Sequence, residues 1–426
     1  MPSDFHDERA LLEGAFERAV RAAAPSVCLR EALGDIDDRR PALVLGAGKA
    51  AAAMAEAFSS GWEAPTRGLV VTRYAHGLAA GESAGGIEVI EAGHPSPDAA
   101  SLAAGARLLE LCSSLSPDET LVCLISGGGS ALASAPLGGL AFEDKRAAAN
   151  YLIRAGADIR EINCVRKHLS GLKGGRLAMA ARPAAVLTFA ISDVPGDDPA
   201  DIASGPTVPD ATTQRDALDI LAGFEYPALA ELREVLDDPR FETPKPGDPA
   251  FERDSVRLIA SAATALDAAE AFLHERGFEV IRLGDDLAAE AQTLGREHAR
   301  IAMERRRAGA SVALLSGGET RVVLGGGEGR GGRNLEYLGG LALELAGCPG
   351  VFALAADTDG IDGNGDHAGG IVAPDLLERG AALGLSLEPL LAKHDSYRFF
   401  DACDSLLRTG PTRTNVNDFR LIVCRS

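Results

Sequence analysis

The stretch "LVLGAGKAAAAM", residues Leu43–Met54, decides the fold. Leu43, Val44 and Leu45 run without a polar break, which predicts a strand buried on both faces. Gly46 and Gly48 predict a tight turn, and the alanines behind Lys49 predict a helix. Strand, glycine turn and helix in that order form the opening unit of a doubly wound α/β sheet.

The same grammar recurs outward from this point. "GLVVT" (Gly68–Thr72), "IEVIEAG" (Ile87–Gly93), "TLVCLIS" (Thr120–Ser126) and "AAVLTFAIS" (Ala184–Ser192) read as buried strands separated by alanine-rich helices. "DDPRFETPKPGDPAFERD" (Asp237–Asp254) interrupts them with prolines and charges and reads as a linker. Alternation resumes with "VRLIAS", a helix over Ala265–Arg276, "FEVIRLG", "SVALLSG" and "VFALAA", and closes on "FRLIVC" (Phe419–Cys424). The expectation is two α/β domains, residues 1–245 and 255–426 around a linker at about 237–254, with a cleft between them.

The 426 residues carry a net charge of −20, so the long-range field repels nucleic acid and anionic membrane. No apolar run approaches the ~18 residues of a membrane span. The N-terminus, charged from the start, reads as a first amphipathic helix through Leu12, Phe16 and Val20 and not as a signal peptide. The seven cysteines form no C-x-x-C pair, so buried thiols in a reducing cytoplasm are expected. No feature fixes an oligomeric state.

Four loops, each after an expected strand, carry the chemistry. In the first, Gly46 and Gly48 would let helix N–H groups face an anion and Lys49 would add a mobile charge. The loop also matches G-x-G-x-x-A, but the next strand ends on Thr72, Arg73 and Tyr74, with no acid for a ribose. In the second, "LISGGGSAL", Gly127, Gly128 and Gly129 between Ser126 and Ser130 suit a phosphate nest. In the third, "AISDVPGDDPADIASGPTVPD", Asp193 follows the strand directly, while Asp197, Asp198 and Asp201 read as a solvated turn. In the fourth, "AADTDGIDGNGDHAGG", an EF-hand register fails because Ala368 stands where a glutamate is needed. Asp357 and Asp359 remain candidates for Mg²⁺.

His94 follows a strand in "AGHPSPD", and "NCVRKHLSGLKGGRLA" gathers Arg166, Lys167, His168, Lys173 and Arg176. Spacing of i, i+7 would put Arg166 and Lys173 on one helix face. In "SGGETRVVLGGGEGRGGRNLE" (Ser316–Glu336) eight glycines surround Arg321, Arg330 and Arg333. Bare backbone and planar cationic forks in an acidic chain suit a highly anionic ligand.

As a set, "GAGKAA", "GHPSPD", "SGGGSAL", "NCVRKHLSGLKGGRLA", "SDVPGDDPADIASGPTVPD", "SGGET", "GRGGRNLE", "DTDGIDG" and "PTRTNVNDF" span almost the full length. In that order they resemble the glycerate 2-kinase family, whose members also carry the name hydroxypyruvate reductase. The resemblance implies a Rossmann-like N-terminal domain and a smaller C-terminal α/β domain of MOFRL type, with the active site in the cleft. It implies ATP-dependent, Mg²⁺-assisted phosphorylation of D-glycerate at the 2-hydroxyl, and places Lys49 and Arg333 at the essential basic positions. Phosphoryl transfer is mostly positioning and charge stabilisation, which suits those two cations. The expected catalytic set is Lys49, Arg333 and Asp193. Gly46, Gly48, His94, Ser126–Ser130, Lys173, Gly317, Gly318, Glu319 and Thr320 are expected substrate or nucleotide contacts, and Asp193, Asp357 and Asp359 expected Mg²⁺ ligands.

Two rivals stand beside this reading. An NAD(P)H-dependent hydroxypyruvate reductase would use Gly46 and Gly48 as its cofactor loop, but no histidine–carboxylate pair for hydride transfer is evident. A non-catalytic sensor would explain the glycine nests but not the Lys, Arg and Asp residues at four strand ends.

Overall fold

The computed structural model describes residues 3–36, 40–116, 118–309, 311–323, 329–363 and 365–425. The chain forms two compact units: Cys28–Ile259, and Met1–Val27 together with Ala260–Ser426.

In the first unit, β1 (Ala42–Ala47), β2 (Thr66–Arg73), β3 (Ile87–Ala92), β4 (Thr120–Ile125), β5 (Val186–Ile191) and β6 (Ser255–Ala260) form one sheet. Its order is β3-β2-β1-β4-β5-β6, and β1 to β5 pair in parallel. Every residue of β1 is buried, as its unbroken apolar run predicts. The strand order reverses between β1 and β4, whose last residues, Ala47 and Ile125, lie side by side. In open α/β sheets this reversal opens a crevice beyond the carboxyl ends of the strands.

The second unit holds β7 (Glu279–Gly284), β8 (Val312–Ser316), β9 (Val351–Asp357), β10 (Gly369–Val372), β11 (Leu406–Leu407) and β12 (Asp418–Cys424). The order is β11-β10-β9-β12-β8-β7, with β7–β8 parallel and the other pairs antiparallel. The last strand therefore runs through the middle of its sheet. Its register sets Asp418 opposite Asp357 and Arg420 opposite Ser316.

The expected boundaries, 1–245 and 255–426, need correction at three places. The Ser3–Ala22 helix belongs to the second unit, where its stripe of Leu12, Phe16 and Ala19 is buried. Phe16 meets Phe419 edge to face at 5.7 Å. Strand β6, expected to open the second domain, is the edge of the first sheet. The expected linker is pinned to the first unit as well: Asp254 accepts from Arg182 Nη1 at 2.9 Å and from the Val186 amide at 3.1 Å. Its prolines and charges encode wound turns, Pro239–Phe241 and Pro249–Phe251, and not a loose tether.

Candidate active site

The loops after β1 and β4 interlock at the strand-order reversal. Gly48 has φ of +151°, and a Cβ there would stand 2.0 Å from Ser126 Oγ. A Cβ at Gly46 would meet the Leu124 carbonyl at 2.4 Å. The amide of Gly48 donates to the Val71 carbonyl, that of Lys49 to Gly127 and that of Ala50 to Ser126 Oγ, at 3.0, 2.8 and 3.0 Å. These are the donors expected to meet an anion, and the protein itself uses them. Gly46, Gly48 and the fully buried Ser126, expected at a ligand, serve loop-to-loop packing here. The same bonds count against a dinucleotide pyrophosphate on this loop.

What the interlock presents outward is different. Gly128 has φ of +80°, and a Cβ there would lie 2.9 Å from the His94 ring and 3.5 Å from Lys49 Cγ. Three loops, after β1, β3 and β4, therefore bring Lys49, His94 and Gly128 together. The amides of Gly127 and Gly128 have no acceptor among the described residues. Ser130 Oγ lies 3.0 Å from Ser204 Oγ.

Beside this meeting point opens a cavity of about 570 Å³, lined by His94, Gly128, Ser130, Lys145, Asn163, Arg166, Lys173, Asp193 and Asp201 among others. Three of its cations are desolvated. Lys173 Nζ donates to the carbonyls of Ser130 (2.8 Å) and Ala133 (3.2 Å), and burial, with Lys145 and Arg166 nearby, pushes its pKa well below the ordinary value. Lys145 Nζ donates to Ser134 Oγ at 2.9 Å, and burial followed by repulsion from Arg166 lowers its pKa to about 8. Burial also lowers Arg166, which has no carboxylate partner among the described residues. Like charges gathered out of water without a counter-ion mark a site built for an anion.

Sequence spacing brought Arg166 and Lys173 to one site by the wrong route. The Ile159–His168 helix stops before Lys173, which reaches the cavity from the turn beyond. The rest of that basic segment is structural: Lys167 pairs with Asp210 at 3.2 Å and His168 with Glu242 at 3.1 Å. Asp198 sits in an exposed turn as expected, whereas Asp201 lines the cavity and accepts from Asn163 at 3.3 Å. Lys145 was missed. Its signal is its place on the buried face of the Phe142–Ala155 helix with Ala148 and Leu152, at i+3 and i+7.

In the second unit, two of the three arginines of Ser316–Glu336, Arg330 and Arg333, answer the protein's own acids. Arg330 donates to Asp366 at 3.0 Å and lies over the Tyr397 ring, while the Arg321 backbone bridges to Ala289 and Ala291. Arg333 meets Asp357 at 2.7 Å, Asp418 at 2.8 Å and Glu319 at 3.1 Å, and these carboxylates raise its pKa against the opposing effect of burial. The glycine run Gly325–Gly327 lies outside the described residues. Gly317 and Gly318 offer their carbonyls to the buried Arg420, and the Thr320 amide donates to Asp418 at 3.4 Å.

The aspartates of the fourth loop are scaffold as well. Asp357 Oδ1 accepts from the Asp359 amide and Asp359 Oδ1 from the Ile361 amide, both at 2.9 Å. Asp362 accepts from the amides of Asn334 and Leu335, clamping the start of the Arg333–Leu345 helix, and burial pushes its pKa up to about 7. In Asp357 and Asp359, the expected Mg²⁺ ligands, the Oδ1 atoms hold the turn, and Asp357 Oδ2 takes Arg333. No group of three or more His, Cys, Asp or Glu residues is placed to hold a metal among the described residues. Among them, too, no helix is long and apolar enough to cross a membrane, and six of the seven cysteines are buried thiols.

Comparison with known proteins places this geometry. Residues 11–237 match the model of a domain of unknown function (DUF4147), and residues 312–418 match the MOFRL family. The chain is 38% identical to a D-glycerate 2-kinase of Thermotoga maritima, over 94% of this chain and 95% of that one. It is 47% identical to an Agrobacterium vitis protein with the provisional name hydroxypyruvate reductase, over 97% and 94% of the two chains. The crystal structure of a Thermotoga maritima glycerate kinase superposes with a TM-score of 0.88 at 35% identity, covering 98% of this chain and all of that one.

Proposed function

Because the chain belongs to the glycerate 2-kinase family, we propose that it transfers the γ-phosphoryl group of ATP to the 2-hydroxyl of D-glycerate, releasing 2-phosphoglycerate and ADP. The observation that carries this reading is the cavity whose desolvated Lys145, Arg166 and Lys173 make no ion pair among the described residues, set beside Lys49 at the strand-order reversal. A cavity of this character suits a phosphorylated ligand.

In the transfer, a new bond forms between the 2-hydroxyl oxygen and phosphorus while the β–γ bridging P–O bond breaks. Lys49 neutralises the charge on the moving group, as a preorganised cation in a desolvated site does. Of the carboxylates on Arg333, Glu319 has 56% of its side chain exposed and Asp357 only 3%, so Glu319 is the partner an anionic substrate displaces. Asp193, half-buried on the cavity wall, orients the hydroxyl or holds Mg²⁺. Asp193 and Asp201, both lining the cavity, are the carboxylates that would hold that metal, which takes one or two carboxylates plus phosphate oxygens. When bound, Mg²⁺ would neutralise phosphate charge. Work in the reducing cytoplasm fits the unpaired thiols.

The test is ADP release from ATP and Mg²⁺ on addition of D-glycerate. Release that depends on D-glycerate supports the kinase. Oxidation of NADPH by hydroxypyruvate without ADP release would replace it with the reductase, against which the occupied amides of Gly48, Lys49 and Ala50 already argue.

A further inference from the structure

Family membership does not say which part of the chain grips the nucleotide, but the cavity of the first unit has two features that a three-carbon acid leaves unused. The first is its size, about 570 Å³, in the range that encloses ligands far larger than a three-carbon acid. The second is an apolar lip. Ile153 and Ile159 both line the cavity, yet they are 50% and 61% exposed, among the most exposed large apolar side chains described. They stand where the Phe142–Ala155 helix ends and the Ile159–His168 helix begins. Exposed aliphatic surface at the mouth of a cationic cavity offers an apolar platform to a ligand that enters it.

Charge argues the same way. Three desolvated cations, Lys145, Arg166 and Lys173, face this space, and one carboxylate would leave most of that charge uncompensated. A polyphosphate chain carries a negative charge on every phosphate. A flat base on the aliphatic lip, with the phosphates running inward to these cations, satisfies both parts of the lining.

We propose that the cavity of the first unit is the nucleoside triphosphate site, with the base resting on Ile153 and Ile159 and the phosphates on Arg166, Lys145 and Lys173. This rests on the kinase reading, since it assigns that enzyme's phosphoryl donor. The hydroxy acid then meets this cavity at its reacting hydroxyl, beside Asp193.

Calorimetric titration of the full chain with ADP and with inorganic tripolyphosphate tests it. In the double variant Ile153→Asn/Ile159→Asn, whose positions are exposed, the Kd for ADP rises at least tenfold. The Kd for tripolyphosphate and the KM for D-glycerate stay within twofold. In Arg166→Met both ADP and tripolyphosphate weaken at least tenfold. An unchanged ADP affinity in the isoleucine variant refutes the location. So does a rise in the glycerate KM with ADP affinity intact, which would give the cavity to the acid. The two readings fail separately. Turnover with nucleotide affinity indifferent to these changes sinks the location alone, and ADP binding that depends on them without glycerate-dependent turnover sinks the kinase alone.

Discussion

Asp418 Oδ1 accepts a hydrogen bond from Arg333 Nε at 2.8 Å, and the two residues stand 85 positions apart in the chain. The other oxygen of Asp418 takes Arg420 Nη2 at 2.6 Å, and Arg420 is 1% exposed. One carboxylate therefore sets the position of Arg333 and neutralises a buried guanidinium. Asp418→Ala leaves Arg420 in the core with carbonyl partners only. Removing one member of a buried ion pair costs about 3–5 kcal/mol. Urea denaturation of the variant is expected to show a loss of that size, and a loss below about 1 kcal/mol would contradict the account.

In the proposed reaction Lys49 stabilises charge on the transferred group. Its backbone amide is held by the Gly127 carbonyl whatever side chain it carries. Lys49→Ala is expected to lower kcat by about 10²–10³, the usual effect of deleting one preorganised charge-stabilising donor, while its unfolding midpoint stays near that of the parent. Near-normal turnover would remove Lys49 from the mechanism.

Gly128 separates the His94 ring from the Lys49 stem in a left-handed conformation. Gly128→Ala meets a backbone cost of roughly 1–2 kcal/mol and a Cβ 2.9 Å from the ring. The His94 ring must shift, and small displacements of groups around a reacting centre cost on the order of 100-fold in rate. Steady-state kinetics and thermal unfolding on one sample separate the two effects, and turnover should suffer more than stability.

Lys145 links ligand affinity to pH. The unfolded chain keeps this proton up to the ordinary lysine pKa of 10.5, whereas the folded chain releases it near 8. Between those values the unfolded state holds more protons, so stability rises with pH across that interval. At neutral pH the buried charge costs on the order of 3 kcal/mol. Lys145→Met is thus expected to raise the melting temperature of the ligand-free protein while weakening ADP binding. The parent should lose ADP affinity as pH rises from 7 to 9 more steeply than the variant does. A variant less stable than the parent would show that Lys145 is not held charged at a cost.

The parallel sheet was legible because β1, β2, β4 and β5 advertise themselves as unbroken apolar runs closed by Gly, Thr or Ser. Lys49, His94, Gly128, Ser130 and Asp193 were legible as a group because each follows or adjoins a strand end, whereas Lys173 stood out only by its basic segment. Less legible was anything set by pairing across the chain. No local pattern announces that Asp418 claims Arg333, or that Ser126 Oγ takes the Ala50 amide. The docking of the Ser3–Ala22 helix depends on Phe16 meeting Phe419, 403 positions later by subtraction of their numbers. The β6 strand looked like the start of a domain because its prolyl approach resembles a linker, whereas its sheet pairing and the Asp254 bonds to Arg182 and Val186 tie it back.

The central claim, phosphorylation at the 2-hydroxyl, has a direct measurement. Purified protein is incubated with ATP, Mg²⁺, D-glycerate and enolase, and the absorbance of phosphoenolpyruvate is followed. The account predicts an immediate rise without phosphoglycerate mutase. ADP release with a rise only after mutase is added would contradict it, because the phosphoryl group would then sit on the 3-hydroxyl.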